Sequence, residues 1–227
     1  MIPLFRNSIA TNDIYYGFPA SFRDAIVFRF NAKDTPNFVL REDTGEFFVV
    51  SYTDPISAIT VSQATASEQP KKIANECIFD GTNDVLFNNS AFITNQIKSA
   101  VAVANCNRAT FNSFDCIVTT RYYVVNVFQL FIGGIPATTN LFNSNTDVAT
   151  NVHINNVFDN NFVPMNNLKS AYIEANASGT FLFIGADTDV RHWSGKINDV
   201  ILFNRNLTNS ERAELQTYLE SFHGFTP

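Results

Sequence analysis

Between Ala25 and Phe203 the chain is cut into short runs of β-branched and aromatic residues, each closed by a polar turn. No other feature of the sequence constrains the fold as much. Runs of four to eight such residues are the length of strands and too short for helices. Ala25–Phe30, Asn37–Arg41, Glu46–Tyr52, Ala58–Val61, Glu76–Phe79, Asp84–Phe87, Val152–Phe158, Ala171–Glu174, Thr180–Ile184 and Lys196–Phe203 all fit the pattern. The run from Cys116 to Ile132 is too long for one strand. It is expected to be two, broken near Asn126 and ended by Gly133-Gly134. Asp43-Thr44-Gly45 and Asp80-Gly81-Thr82-Asn83 are tight-turn signals, because Gly supplies the positive φ such turns require.

Composition supports the same reading. Phe occurs 23 times against one Trp and two Met. Many of the 28 Asn fall in clusters such as Asn88-Asn89, Asn155-Asn156, Asn160-Asn161 and Asn166-Asn167. Asn bonds to its own backbone and tolerates left-handed geometry, so these clusters mark loops. A single helix is predicted. Thr208-Asn209-Ser210-Glu211 is a capping box. After it Leu215, Tyr218, Leu219 and Phe222 fall on one face, and Gly224 is the stop. The expected fold is therefore all-β with one C-terminal helix over residues 208–223. Residues 1–24 lack a clear period and are expected to form an N-terminal arm or edge strand, with residues 25–227 as the domain.

Several functions are disfavoured. The net charge is −6 and the pI about 5.0, with 15 scattered Lys and Arg. Nucleic acid and anionic membrane are poor partners for such a surface, and no apolar run reaches the roughly 20 residues of a membrane helix. Cys77, Cys106 and Cys116 form no zinc pattern. A Cys106–Cys116 disulfide is open to the spacing, but three reduced thiols are expected. The N-terminus has no signal-peptide pattern, so a virion location is expected, with an extracellular one as the alternative.

Three segments, in order, resemble concanavalin A-like, laminin-G-like jelly-roll domains of phage particles and bacterial secreted proteins. The first is Phe30-Asn31-Ala32-Lys33-Asp34. The second joins Gln69-Pro70 to Phe79-Asp80-Gly81-Thr82-Asn83-Asp84-Val85-Leu86. The third is Trp193-Ser194-Gly195-Lys196-Ile197-Asn198-Asp199-Val200-Ile201, running on to the helix. Asn31, Asn83 and Asp199 depart from the usual acidic residues, which weakens any acidic metal site. The resemblance implies a two-sheet antiparallel jelly-roll sandwich.

Glycoside hydrolysis on this fold needs paired carboxylates along one strand, and that run is missing. The sequence is thus read as that of a protein that is not an enzyme. The candidate site residues are Asp187, Asp189 and His192, read as a glycan contact. Asp187 and Asp189 could also hold Ca²⁺, although an Asx-rich turn is the plainer reading and no cofactor is expected. Trp193, beside His192, is expected in the core, as is Asp80 in the cap of the Gly81 turn. His153 and His223 look isolated. The sequons at Asn88, Asn176 and Asn206 are read as incidental.

The expected function is a virion structural protein: a spike, fibre head or capsid-decorating subunit that reads a host-surface glycan. Its partners would be other virion proteins and copies of itself, preferably as a trimer. The alternative is a stand-alone carbohydrate-binding, lectin-like module.

Overall fold

A computed structural model describes residues 18–88, 97–112, 115–121, 128–142, 152–177, 181–186 and 191–227. The elements, in order, are β1 (Ile26–Asn31), β2 (Phe38–Asp43), β3 (Glu46–Thr53), β4 (Thr60–Ser62), β5 (Lys71–Ile73), β6 (Glu76–Asp80), β7 (Leu86–Asn88) and β8 (Ile97–Ala104). There follow β9 (Cys116–Arg121), β10 (Phe128–Gly134), β11 (Leu141–Phe142), β12 (Val152–Ile154), β13 (Val157–Phe158), β14 (Lys169–Ala177), β15 (Phe181–Ile184), β16 (Ser194–Phe203) and α1 (Asn209–His223). The fold is all-β and antiparallel, with one C-terminal helix.

The strands form one hydrogen-bonded path, β11-β10-β9-β15-β7-β4-β3-β5-β6-β16-β8-β14-β12-β13, with β1 added on β16 and β2 on β3. Two separate sheets were expected. β3 joins what would be the two halves. Its end Ser51–Thr53 pairs with β4, while Phe47 and Phe48 pair with β5. An eight-residue strand is long enough to serve a different neighbour at each end. The path turns back on itself, so Ile132 and Leu141 near one end share a core with Val152 and Ile154 near the other.

Residue alternation in the middle of the path places two cores on opposite faces. Along β8, Ala100, Ala102 and Ala104 face the main core, and Val101 and Val103 face a second one. β14 and β16 divide likewise: Ile173, Val200 and Leu202 face the main core, Tyr172, Ile201 and Phe203 the second. This is the two-residue period of a strand buried on both faces. α1 covers the second face with Leu215, Tyr218 and Leu219. The Thr208 side chain accepts from the Glu211 N–H while the Glu211 carboxylate accepts from the Thr208 N–H, as the capping box predicts. Gly224 closes the helix at φ 70°.

Some expected boundaries moved. The Cys116–Ile132 run is two paired strands, β9 and β10, as expected, though Asn126 lies outside the described residues. Asp43-Thr44-Gly45 does join a hairpin, with Thr44 at φ 51° and Gly45 at φ 82°. Asp80-Gly81-Thr82-Asn83 does not. β6 pairs with β5 and β16, whereas β7 pairs with β4 and β15. This turn carries the chain between distant parts of the path. β8, between β16 and β14 and buried on both faces, was not among the expected strands because its Ala-rich run carries little β signal.

Residues 18–24 of the expected arm pack on their own domain: Phe18 and Phe22 are buried beside Tyr218 and Phe203. Residues 1–17 lie outside the described part of the chain.

Candidate functional site

The strand pair β7–β15 carries the arrangement best suited to a ligand. Leu86, Leu182 and Ile184 are fully buried on the inner face. Alternation therefore turns Phe87, Phe181 and Phe183 outward, where they are half-buried. Phe87 and Phe183 are direct cross-strand partners. Their rings stack at 6.1 Å with 22° between planes, and Phe181 continues the row 6.4 Å from Phe183 at 33°. Ser62 pairs with Phe87 on one side of the row and Thr119 with Phe183 on the other. Three half-buried aromatic rings in line on the outward side of the sheet suit the apolar face of a sugar ring, although Thr119 beside Phe183 is itself fully buried.

At one end of this seam lies the turn from Asp80 to Asp84. One Asp80 oxygen accepts the N–H groups of Thr82, Asn83 and Asp84, which is the turn cap expected from sequence. Asp84 accepts the Asp80 N–H at 2.8 Å. Burial, with the neighbouring Asp80 charge, pushes its carboxyl up to about 7. Arg108 binds Asp115 at 2.6 Å and the Gly81 carbonyl at 2.9 Å. A side chain on Gly81 would meet the Arg108 guanidinium at 2.6 Å, so the turn needs its glycine for space as well as for its φ of 77°.

Of the three predicted site residues, His192 falls in this corner. It is buried, bridges to Cys116, and places Nδ1 3.5 Å from the Asp84 carbonyl oxygen. Asp187 and Asp189, the expected glycan or Ca²⁺ contacts, lie outside the described residues. Among the described residues no three His, Cys, Asp or Glu gather as a metal set. The Phe87–Phe183 row escaped the sequence reading because each Phe is unremarkable in its own run. Only the pairing of β7 with β15, about a hundred residues apart, brings them together.

Other motif residues prove structural. Trp193 is fully buried, as expected, and donates Nε1–H to the Asn105 carbonyl at 2.9 Å. All three cysteines are free and buried. His223 is not isolated. Its Nε2 lies 3.0 Å from Asp199, which also pairs with Arg29, and all three side chains are buried. Burial opposes the Asp199 charge, but Arg29 and His223 hold its carboxyl below the ordinary range. Asp199 is thus the counter-ion of a core arginine. His153 packs between Phe158 and Tyr172.

No family model and no curated protein matches the chain. Solved structures do. A GH54 α-L-arabinofuranosidase aligns with 77% of this chain and 51% of its own, at 10% identity and TM-score 0.49. Trypanosoma rangeli sialidase with 2,3-difluorosialic acid aligns with 84% of this chain and 33% of its own, at 11% identity and TM-score 0.46. The chain thus spans about half the length of the first and a third of the second. These neighbours are glycoside hydrolases, and the expectation that the chain is not an enzyme is corrected accordingly. At such identities and scores the likeness assigns no activity or substrate.

Proposed function

We propose that this chain is a glycan-reading structural subunit of a virus particle, built as a jelly roll of the concanavalin A-like, laminin-G-like kind whose two layers are continuous through β3. The observation that carries glycan recognition is the Phe87–Phe183–Phe181 row on the outer face of β7–β15. Stacking on such a row is sequence-tolerant and works on any sugar with one apolar face. The particle reading is supported by the three jelly-roll-like segments and by the end of the strand path. There β13 leaves Val157 63% and Phe158 66% exposed, with Val163 51% exposed nearby. Apolar residues on an edge strand are a surface suited to assembly.

The test is binding of the purified chain to a glycan array, repeated with Phe87→Ala and Phe183→Ala. The expected result is saturable binding by the parent chain and its loss in both variants, with melting curves that remain cooperative. Equal binding by parent and variants would remove the seam from the reading. A stand-alone lectin-like module is the alternative, and a monomeric, glycan-binding chain would favour it.

A further inference from the structure

β13 ends the strand path and pairs with β12 alone among the described residues. Its outer edge therefore offers backbone groups to one more strand. Val157 and Phe158, the two residues of β13, are also the most exposed large apolar side chains among the described residues. Phe158 is held in place on the surface by an edge-on contact with His153, 5.4 Å between ring centres. An apolar edge of this kind is a liability unless something covers it.

One segment of matching chemistry lies outside the described part of the chain. Residues 1–17 carry Ile2, Leu4 and Phe5 at one end and Ile14, Tyr15 and Tyr16 at the other. In an extended strand Ile2 and Leu4 share a side. Pro3 between them suits an edge strand and not the inside of a sheet. Arg6, next to Phe5, finds an opposite charge in the exposed Asp159, next to Phe158. Extended, residues 1–17 reach about 55 Å. They join the domain at Phe18, which lies against Arg29 of β1. From there β13 is five strand spacings away, through β16, β8, β14 and β12, or about 24 Å. On the same molecule that way passes the outer side of α1, where Ser210, Glu214, Thr217 and Ser221 are exposed. Such a polar surface is a poor bed for an apolar segment, which favours the edge of a neighbour.

We propose that residues 1–6 of one copy dock as an added strand on the β13 edge of a second copy, with Leu4 and Phe5 packed on Val157 and Phe158. Each copy gives one arm and receives one, a head-to-tail contact that closes into a ring. The inference rests on the particle reading and is independent of glycan recognition.

The experiment measures the mass of the full chain by light scattering at micromolar concentration, for the parent, Leu4→Asp and Phe158→Asp. The expected result is an oligomer for the parent and the single-chain mass for both variants, with melting midpoints close to that of the parent. Two full-length chains, one with Leu4→Cys and one with Phe158→Cys, are then mixed and oxidised, beside a third that carries both changes. The native cysteines are buried and do not compete. A disulfide between the two mixed chains is expected. An oligomer that survives both Asp substitutions overturns the inference and leaves the particle reading standing. So does the absence of that disulfide. Linkage of Phe158→Cys chains only to each other would mean that two β13 edges meet, and a disulfide only within the doubly changed chain would mean that the arm lies on its own domain. A monomeric parent overturns the inference and the particle reading together.

Discussion

At the scale of single residues, the two acids Asp84 and Asp199 show opposite solutions to burial. Asp84 has no cation beside it among the described residues, and its carboxyl is raised to about 7 by burial and by Asp80. A raised folded value means that the native state holds the proton more tightly than the unfolded chain. The stabilisation is therefore complete below the ordinary carboxylate value near 4 and is lost as pH rises through about 7. Asp84→Asn should flatten this part of the stability profile, as measured by denaturant melts across that window; an unchanged slope would count against the assignment. Asp199 instead has Arg29. Asp199→Asn leaves a buried guanidinium without its counter-ion and should cost about 3–5 kcal/mol, whereas replacing both Arg29 and Asp199 by Leu should cost less than the single change. A double-mutant cycle reads this directly.

At the scale of elements, the terminal helix is stabilised in two separable ways. Its cap satisfies backbone N–H groups, so Thr208→Ala should cost about 1 kcal/mol. Its buried face rests on β8, β14 and β16, so Leu219→Ala should cost more, about 2–5 kcal/mol. Equal, negligible effects in denaturant melts would mean that the helix does not dock. β16 has its own sensitive point. Gly195 sits at φ 145°, and a Cβ there would lie 2.2 Å from the Asn105 carbonyl oxygen, the same group that accepts the Trp193 indole N–H. Gly195→Ala should cost about 3 kcal/mol or more, seen as a lowered melting midpoint.

At the scale of the whole molecule, assembly is the open outcome of the proposed particle role. The chain is expected to form a closed homo-oligomer, a trimer in our reading, at micromolar concentration, measured by light scattering. A monomer would remove the support for the particle reading. The ends of the chain refine the experiment. Phe18 stacks edge-on against Phe22 and Tyr218, and the Arg29 guanidinium lies 5.0 Å from its ring. Deletion of residues 1–17 tests their part in assembly. Deletion through Asp24 should destabilise the domain itself, because it strips Phe18 and Phe22 from the second core.

The sequence by itself determined what depends on neighbours along the chain. Thr208, Glu211 and Gly224 mark the helix because a cap is a local hydrogen-bond problem. Asp43-Thr44-Gly45 marks a hairpin because φ is a local property, and the alternation of Phe181, Leu182, Phe183 and Ile184 marks a two-faced strand. The tertiary structure decided everything that depends on which strands meet. Asp80-Gly81-Thr82-Asn83 has the same local chemistry as a hairpin turn, yet it connects strands that never pair, since partner choice rests on long-range packing. β8 is buried on both faces although its alanines look weak, because burial is set by the cores packed on its two sides. His223 finds Asp199, and Phe87 finds Phe183, only because antiparallel pairing sets residues far apart in sequence side by side. The seam is a product of that register.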